Sequence, residues 1–208
     1  MPLRDVSCHP FCIPSLPTTA SPNGHFSVQL IEFADDTTVE GLIENSDEFW
    51  YRQEVDRLVS WCRNNNLELN TSKTKEMIID FRKENSHVVP LLIDGSPIEI
   101  VDSFQFLGTI ISSGLDWKVN VDSTLKKAQQ GMYFLRQLKK FGLRREILVQ
   151  FYRAVIESML CFSQTVWCGS TTKDQRRRLN RVDRNAGRIV GCELTSLEEL
   201  HCKWTVAR

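Results

Sequence analysis

Apolar positions change their period along this chain, and the change divides it. Two short apolar runs, Val28–Phe33 and Thr37–Leu42, flank Ala34, Asp35 and Asp36. Runs of this length around a polar junction predict a β-hairpin with both carboxylates near its tip. A helix follows, capped by Asn45 or Ser46 and running to about Asn64, with Phe49, Trp50, Val55, Leu58, Val59 and Cys62 marking its buried face. The amides Asn64–Asn66 stop it, because their side chains compete for backbone hydrogen bonds. Leu67–Leu69 and Met77–Phe81 are predicted strands on either side of the polar turn Asn70–Lys75. Leu91–Ile93 and Ile98–Ile100 flank Asp94-Gly95-Ser96-Pro97, a hairpin signal. Ser103–Ser112 alternates near period two, as one further strand, and Gly114 closes the region.

The period then becomes helical. Asp122–Phe141 carries Leu125, Ala128, Met132, Leu135 and Leu138 on one stripe and ends at Gly142. Arg144–Cys168 carries Ile147, Leu148, Phe151, Tyr152, Val155, Met159 and Leu160. Thr171 or Thr172 caps a basic helix through Val190, stopped by Gly191, with Trp167, Cys168 and Val182 packing it on its neighbour. Ser196 opens a last short helix with Glu199 in the capping-box position. Five of the seven prolines fall within residues 1–27, and proline blocks helix interiors and central strands, so this segment reads as an irregular arm. The pattern predicts an α+β fold: a proline-rich arm over 1–27, an α/β part with β-hairpins over 28–115, and a helical bundle over 116–208.

Composition narrows the classes. With 208 residues, 41% hydrophobic and 25% charged, the chain is one medium domain or two small ones and is expected to fold. No run approaches the ~20 apolar residues that span a bilayer, and no basic segment precedes an apolar one as in a secretory leader. The seven cysteines are odd in number and scattered, which suits reduced intracellular thiols. Cys8, His9 and Cys12 have no second ligand pair at zinc spacing. The net charge of zero conceals a division: residues 117–208 hold 18 Lys+Arg against 8 Asp+Glu, and residues 1–116 hold 8 against 18. A basic half attracts phosphate backbones through counterion release, although solvated helix faces give the same count. Within it Arg177, Arg181, Arg184 and Arg188 recur at four, three and four and share one helix face. The planar guanidinium fork suits phosphate.

Adjacent carboxylates at a strand turn point to a hard divalent cation such as Mg²⁺, although an Asp-Asp dipeptide by itself is most often a solvated turn. Here the context is specific. Phe33-Ala34-Asp35-Asp36 resembles the aromatic-Ala-Asp-Asp box of reverse transcriptases. Leu58-Val59-Ser60-Trp61-Cys62 followed by Asn65-Asn66-Leu67-Glu68-Leu69-Asn70 is similar to the segment after that box in LINE-type (non-LTR) retrotransposon polymerases. Thr71-Ser72-Lys73-Thr74-Lys75 is similar to their lysine-bearing turn, and Phe104-Gln105-Phe106-Leu107-Gly108 to their primer grip. Lys126-Lys127-Ala128-Gln129-Gln130 and Tyr133-Phe134-Leu135-Arg136 resemble the thumb of jockey-like and related fish elements.

The resemblance covers about residues 28–208 and implies a partial palm over 28–115 and a thumb-like region over 116–208. It implies that Asp35 ligates metal with Asp36 beside it, that Lys73 or Lys75 lies near the incoming nucleotide's phosphates, and that Phe106, Leu107 and Gly108 shape the primer end. The implied ancestral reaction is RNA-directed DNA polymerisation with Mg²⁺. Such polymerases hold two ions about 3.5–4 Å apart, and in this family an earlier strand supplies the bridging aspartate. Only 34 residues precede Asp35, and Asp5, in the proline-rich arm, is the sole earlier aspartate. The expectation is therefore an incomplete site, inactive alone, with weak sequence-independent RNA or DNA binding through Lys126, Lys127, Arg177, Arg181, Arg184 and Arg188 as the alternative function.

A second resemblance covers residues 125–160, which look like the short N-terminal domain named after AlkB-homologue alkylated-DNA-repair proteins. That label suggests a 2-oxoglutarate iron dioxygenase or a methyltransferase. Non-haem iron takes two histidines and a carboxylate, yet none of His9, His25, His87 and His201 stands in a His-x-Asp pattern. No glycine-rich loop follows a first strand, as a methyltransferase would carry.

Overall fold

The computed structural model describes residues 3–8, 28–33, 36–44, 47–81 and 89–206, with the backbone alone for 3–8 and 203–206. The chain divides into two compact units: residues 1–104 with 112–115, and residues 105–111 with 116–208. Strands and one long helix fill the first and helices dominate the second, which agrees with the α+β expectation.

In the first unit a five-stranded sheet runs in the order β2-β3-β1-β4-β7. Its strands are β1 (Leu3–Cys8), β2 (Val28–Phe33), β3 (Asp36–Leu42), β4 (Lys75–Ile79) and β7 (Glu99–Ile100). The predicted irregular arm is corrected at Leu3–Cys8. These residues form the central strand, antiparallel to both β3 and β4. They lie between Pro2 and Pro10, and this proline-free strand of six residues is long enough to pair on both sides. The rest of the arm lies outside the described residues.

Helix α1 (Phe49–Asn64) packs on β3 through Tyr51, Val55, Leu58, Val59 and Cys62. Phe49 and Trp50 are exposed, against expectation, and Tyr51 takes the buried position. Gly41 accounts for this. A Cβ there would meet the Tyr51 ring at 2.6 Å, so only glycine lets that ring lie against β3. Helix α1 ends in a Schellman motif rather than through amide competition. Asn66 is left-handed (φ 57), its N–H donates to Arg63 O at 3.1 Å, and Leu67 N–H donates to Cys62 O at 2.8 Å. Leu67–Leu69 consequently serves as the wrap after the helix and is not a strand.

The predicted hairpin around Asp94 is tighter than expected. β5 (Leu92–Ile93) pairs with β6 (Ser96–Pro97) across Asp94 (φ 53) and Gly95 (φ 76), the two positive φ angles of a type I′ turn. Ser103–Ser112 is not one strand but two. β8 (Ser103–Phe106) and β9 (Thr109–Ser112) pair across Leu107 (φ 44) and Gly108 (φ 85), again a two-residue left-handed turn.

The second unit is built on α2 (Lys118–Lys140), which packs against α6 (Lys173–Val190). The predicted helix over Arg144–Cys168 is broken. It runs as α3 (Arg145–Phe151), a π-helical stretch (Tyr152–Glu157) and α4 (Ser158–Leu160). After left-handed Ser163 (φ 50) it resumes as α5 (Gln164–Trp167) and a 3₁₀ turn (Cys168–Ser170). The π stretch has a packing consequence. Leu148, Tyr152, Ile156 and Leu160 are all fully buried at intervals of four. In an ideal α-helix such a row drifts ~40° per step, and the wider π turn holds it toward the core. Helix α7 (Leu197–Val206) closes the unit, with Leu197 buried and the Ser196 Oγ accepting from the Glu199 N–H at 3.2 Å.

Candidate nucleic-acid interface

Strand register places the first group of predicted residues. β2 and β3 pair antiparallel with Phe33 opposite Asp36; Ala34 and Asp35, between them, lie outside the described residues. Cys8 of β1 is opposite Thr37 of β3, and Ser7 is opposite Lys75 of β4. The beginnings of β3 and β4 therefore lie at one end of the sheet. Asp36 and the turn holding Lys73 share that end. Of the two candidate lysines, Lys75 is engaged, its Nζ 2.5 Å from Glu99 Oε2. The Lys73 side chain is exposed on the turn, and among the described residues only its backbone N–H is bonded, to the Asn70 side chain and carbonyl.

The same register separates Asp5 from this end. Asp5 is opposite Glu40 and Met77, three residues along from the Cys8–Thr37 pair. At about 3.3 Å per residue that is roughly 10 Å of strand, well beyond the spacing of two ions in a polymerase site. Mg²⁺ binds through one or two carboxylates plus waters and phosphates; of the two carboxylates expected to ligate it, Asp36 opens β3 and Asp35 lies outside the described residues. Among the described residues no group of three His, Cys, Asp or Glu side chains converges to hold a metal. The described residues therefore do not by themselves make the two-ion arrangement. Phe106, Leu107 and Gly108 stand at the turn of the β8–β9 hairpin, within the second unit, where a Cβ on Gly108 would meet the Phe162 ring at 3.0 Å.

The second group of predicted residues belongs to α6, and local sequence explains why the helix is well made. Thr172 is its N-cap: Thr172 Oγ1 accepts from the Gln175 N–H at 3.2 Å, and the Gln175 side chain accepts from the Thr172 N–H at 2.7 Å. This reciprocal capping box satisfies two otherwise orphaned donors. Leu179, Val182, Ala186 and Val190 are buried against the α2 and α3 region, and Trp167 belongs to the same core. Arg177, Arg181, Arg184 and Arg188 are all exposed, on the opposite side. Lys126 and Lys127 are likewise exposed on α2.

The arginines differ in what they already hold. Arg176 is consumed structurally, donating to Thr171 Oγ1 and to the carbonyls of Cys168 and Gly169. Arg177 pairs with Asp174 at 2.9 Å and Arg178 with Asp122 at 2.7 Å. Arg181 and Arg188 have no ion-pair partner among the described residues, and Arg184 makes only a 3.4 Å contact with the Asn180 carbonyl. The face is also divided between two depressions. Lys173, Arg177, Arg184 and Arg188 line a groove of about 1010 Å³ whose other wall is Gly191–Leu194, Ser196 and Glu198. Arg181 opens instead into a smaller depression of about 330 Å³, shared with Arg136, Gln129 and Arg178 between α6 and α2.

Beneath the larger groove lies a residue the sequence reading missed. Asp183 is 6% exposed, and its Oδ1 accepts from the Tyr152 hydroxyl at 2.8 Å. Burial pushes its carboxyl up from 3.8 to about 6; the hydrogen bonds from Tyr152 and from the Leu197 backbone N–H lower it only in part, and Glu157 raises it slightly. The same burial, with the Asp183 charge beside it, drives the Tyr152 hydroxyl far above its ordinary value. Cys161, buried nearby, is pushed up to about 12. The Leu197 carbonyl, at the start of α7, accepts from Gln164 Nε2 at 3.0 Å. The signal was present in the sequence: Asp183 falls beside Val182 on the apolar stripe of a helix whose other face is basic.

Two comparisons with known proteins bear on this geometry. The family described as "Alkylated DNA repair protein alkB homolog 8, N-terminal" matches residues 117–158, which are Trp117, α2, α3, the π stretch and the residues adjoining them. Over 169 residues the chain is 24% identical to the "Retrovirus-related Pol polyprotein from type-1 retrotransposable element R1 3" of Nasonia vitripennis, covering 77% of this chain and 43% of that protein. The chain thus spans less than half the length of that relative, and the similarity relates it to retroelement polyproteins at a coarse level. No solved structure matches. Among the described residues no helix is long and apolar enough to cross a membrane.

Proposed function

We propose that this chain derives from a LINE-type retroelement polymerase and acts as a sequence-independent binder of RNA or DNA backbones through the basic surface of its helical unit. One observation carries the reading. Arg181, Arg184 and Arg188 stand exposed on α6, opposite its buried stripe, with no carboxylate partner among the described residues. Guanidinium groups left uncommitted on a rigid, doubly capped helix are preorganised for phosphate, which each can meet bidentately. Lys126 and Lys127 add charge on α2. Binding should be salt-dependent, because each phosphate neutralised releases counterions.

The test compares the intact chain with the Arg181→Ala/Arg184→Ala/Arg188→Ala variant in fluorescence anisotropy against a labelled oligonucleotide over a salt series. Each lost phosphate contact should flatten the slope of log affinity against log salt by about 0.7 to 0.9, so the variant should bind more weakly at every sequence and with a shallower slope. An unchanged slope sinks the proposal.

The polymerase reading keeps one specific support, the sharing of one sheet end by Asp36 and the Lys73 turn. On our reading the site is incomplete within this chain and inactive alone, because Asp5 is offset along β1 by three residues from that end. Primer extension on an RNA template with Mg²⁺ decides the matter: extension abolished by Asp35→Ala or Asp36→Ala would establish the polymerase instead. The AlkB-type similarity brings no chemistry with it, since the matched residues 117–158 contain no histidine for iron.

A further inference from the structure

Helix α2 presents a surface that the basic face of α6 does not explain. Residues 123–145 hold seven Lys and Arg and no Asp or Glu. Among these cations Lys126, Lys127, Arg136, Lys139 and Lys140 are exposed, with no ion-pair partner among the described residues. Three aromatic side chains stand in the same stretch in solvent: Tyr133 at 56% exposure, Phe134 at 56% and Phe141 at 80%. Such exposure is unusual for phenylalanine, which ranks among the most often buried residues. It is not a packing accident of the helix, whose apolar stripe of Leu125, Ala128, Met132 and Leu135 is buried on the other side. Lys126, Gln130, Tyr133, Gln137 and Lys140 recur at four, three, four and three, and Lys127, Phe134 and Phe141 recur at seven beside them. Both rows therefore lie on one face. Tyr133 and Phe134 meet edge to face, ring centroids 5.6 Å apart and planes at 74°.

From this geometry we infer that the outer face of α2 is a stacking platform for an unpaired nucleic-acid strand, with bases on Tyr133, Phe134 and Phe141 and phosphates on the flanking lysines. The inference rests on the nucleic-acid reading above and adds the class of strand. Aromatic rings interleaved with cations are what an unpaired strand requires, because its bases offer free π faces while its backbone stays anionic. A duplex keeps its bases stacked on one another, so the rings have nothing to receive there. Charge chooses among occupants: a carboxylate-free surface of this sign is complementary to a polyanion, whereas a protein partner would need matching acids over the same two rows. The face also continues toward α6. Arg136 lines the depression between the two helices together with Arg181, so cationic side chains lead from the aromatic rows to the basic helix.

The experiment measures anisotropy of the whole chain with a labelled single-stranded oligonucleotide and with the matching duplex over the same salt series. It compares wild type, Tyr133→Ala/Phe134→Ala/Phe141→Ala, and Phe134→Leu, with helicity checked by circular dichroism. We expect preference for the single strand in wild type. Each stacked base lost should weaken that binding by roughly 5- to 150-fold, duplex binding should stay unchanged, and the salt slope should be retained because no cation is removed. Phe134→Leu keeps an apolar surface but no π face, so it should lose part of the single-strand preference. Equal affinity for strand and duplex in wild type, or single-strand binding unaltered in the triple variant, overturns the platform while leaving backbone binding by α6 intact. Loss of self-association in the triple variant with unaltered strand binding would assign the face to a second copy of the chain and overturn it equally. Failure of wild type to bind either probe would overturn the nucleic-acid reading and the platform together.

Discussion

Asp183 offers a quantitative check on the packing of the helical unit. Its carboxyl is buried on α6, and the Tyr152 hydroxyl donates to it at 2.8 Å. Its folded value is raised to about 6 from 3.8, chiefly by burial. The folded state therefore holds this proton more tightly than the unfolded chain does. The associated stability is fully present below about pH 4 and is lost as pH rises through about 6. A shift of about two units at ~1.4 kcal/mol each corresponds to about 3 kcal/mol, a large part of a typical folding stability of ~5–15 kcal/mol. Asp183→Asn replaces the carboxyl by a near-isosteric group that never ionises. At about pH 4 the variant should resemble wild type, since a protonated carboxyl and an amide each offer one carbonyl acceptor. At about pH 7 only wild type carries the buried charge, so the variant's relative stability should have grown by up to about 3 kcal/mol. Urea unfolding followed by far-UV circular dichroism at several pH values measures this difference, in which the other titrating groups cancel. An advantage that stays flat, or shrinks as pH rises, would refute the claim that burial outweighs hydrogen bonding at this carboxylate.

Other substitutions test other joints of the structure. Thr172→Ala removes one half of the capping box of α6 and should cost about 1 kcal/mol in urea unfolding. Gly131→Ala places a Cβ 2.8 Å from Ile156 Cγ1, and Ile156 is fully buried, so the variant should lose about 1–3 kcal/mol even though alanine is the better helix former. Tyr152→Phe removes the donor to Asp183 and should cost about 1–3 kcal/mol, more at neutral pH than at about pH 4, because the ionised carboxylate is what needs the bond.

Much of the helical unit was legible because its signals are local. Thr172 and Gln175 stand three apart before an apolar stripe, and Gly191 follows it, so both ends of α6 could be placed from sequence. The arginine face followed from the same period. What periodicity could not show is the π stretch at Tyr152–Glu157, since a single widened turn leaves the apolar spacing nearly unchanged. Nor does any residue announce the left-handed Ser163, a conformation that glycine or asparagine adopts more readily. In the first unit the errors were tertiary. Tyr51 rather than Phe49 or Trp50 is buried because Gly41, on another element, leaves space for its ring. Leu3–Cys8 becomes a central strand because β3 and β4 both present edges to it, and proline content nearby argues only about its neighbours. The site residues divide in the same manner. Exposure of Arg181, Arg184 and Arg188 follows from helical spacing alone, whereas the burial of Asp183 depends on Tyr152, thirty-one residues away.

The charge division nearly coincides with the division into two units. Residues 1–116 carry ten more acids than bases, and residues 117–208 carry ten more bases than acids. Asp35 and Asp36 belong to the half whose net charge disfavours phosphate, which on the polymerase reading divalent cations would offset. On the proposed reading the helical half, with its excess of bases, attracts phosphate without any ion. A chain that binds nucleic acid in the absence of divalent cations must consequently do so through the second unit, and added Mg²⁺ should weaken that binding by competing for phosphates. Binding that instead required Mg²⁺ would place the contact at the carboxylate hairpin. The divalent-cation dependence of affinity thus separates the two surfaces of one chain without altering a residue.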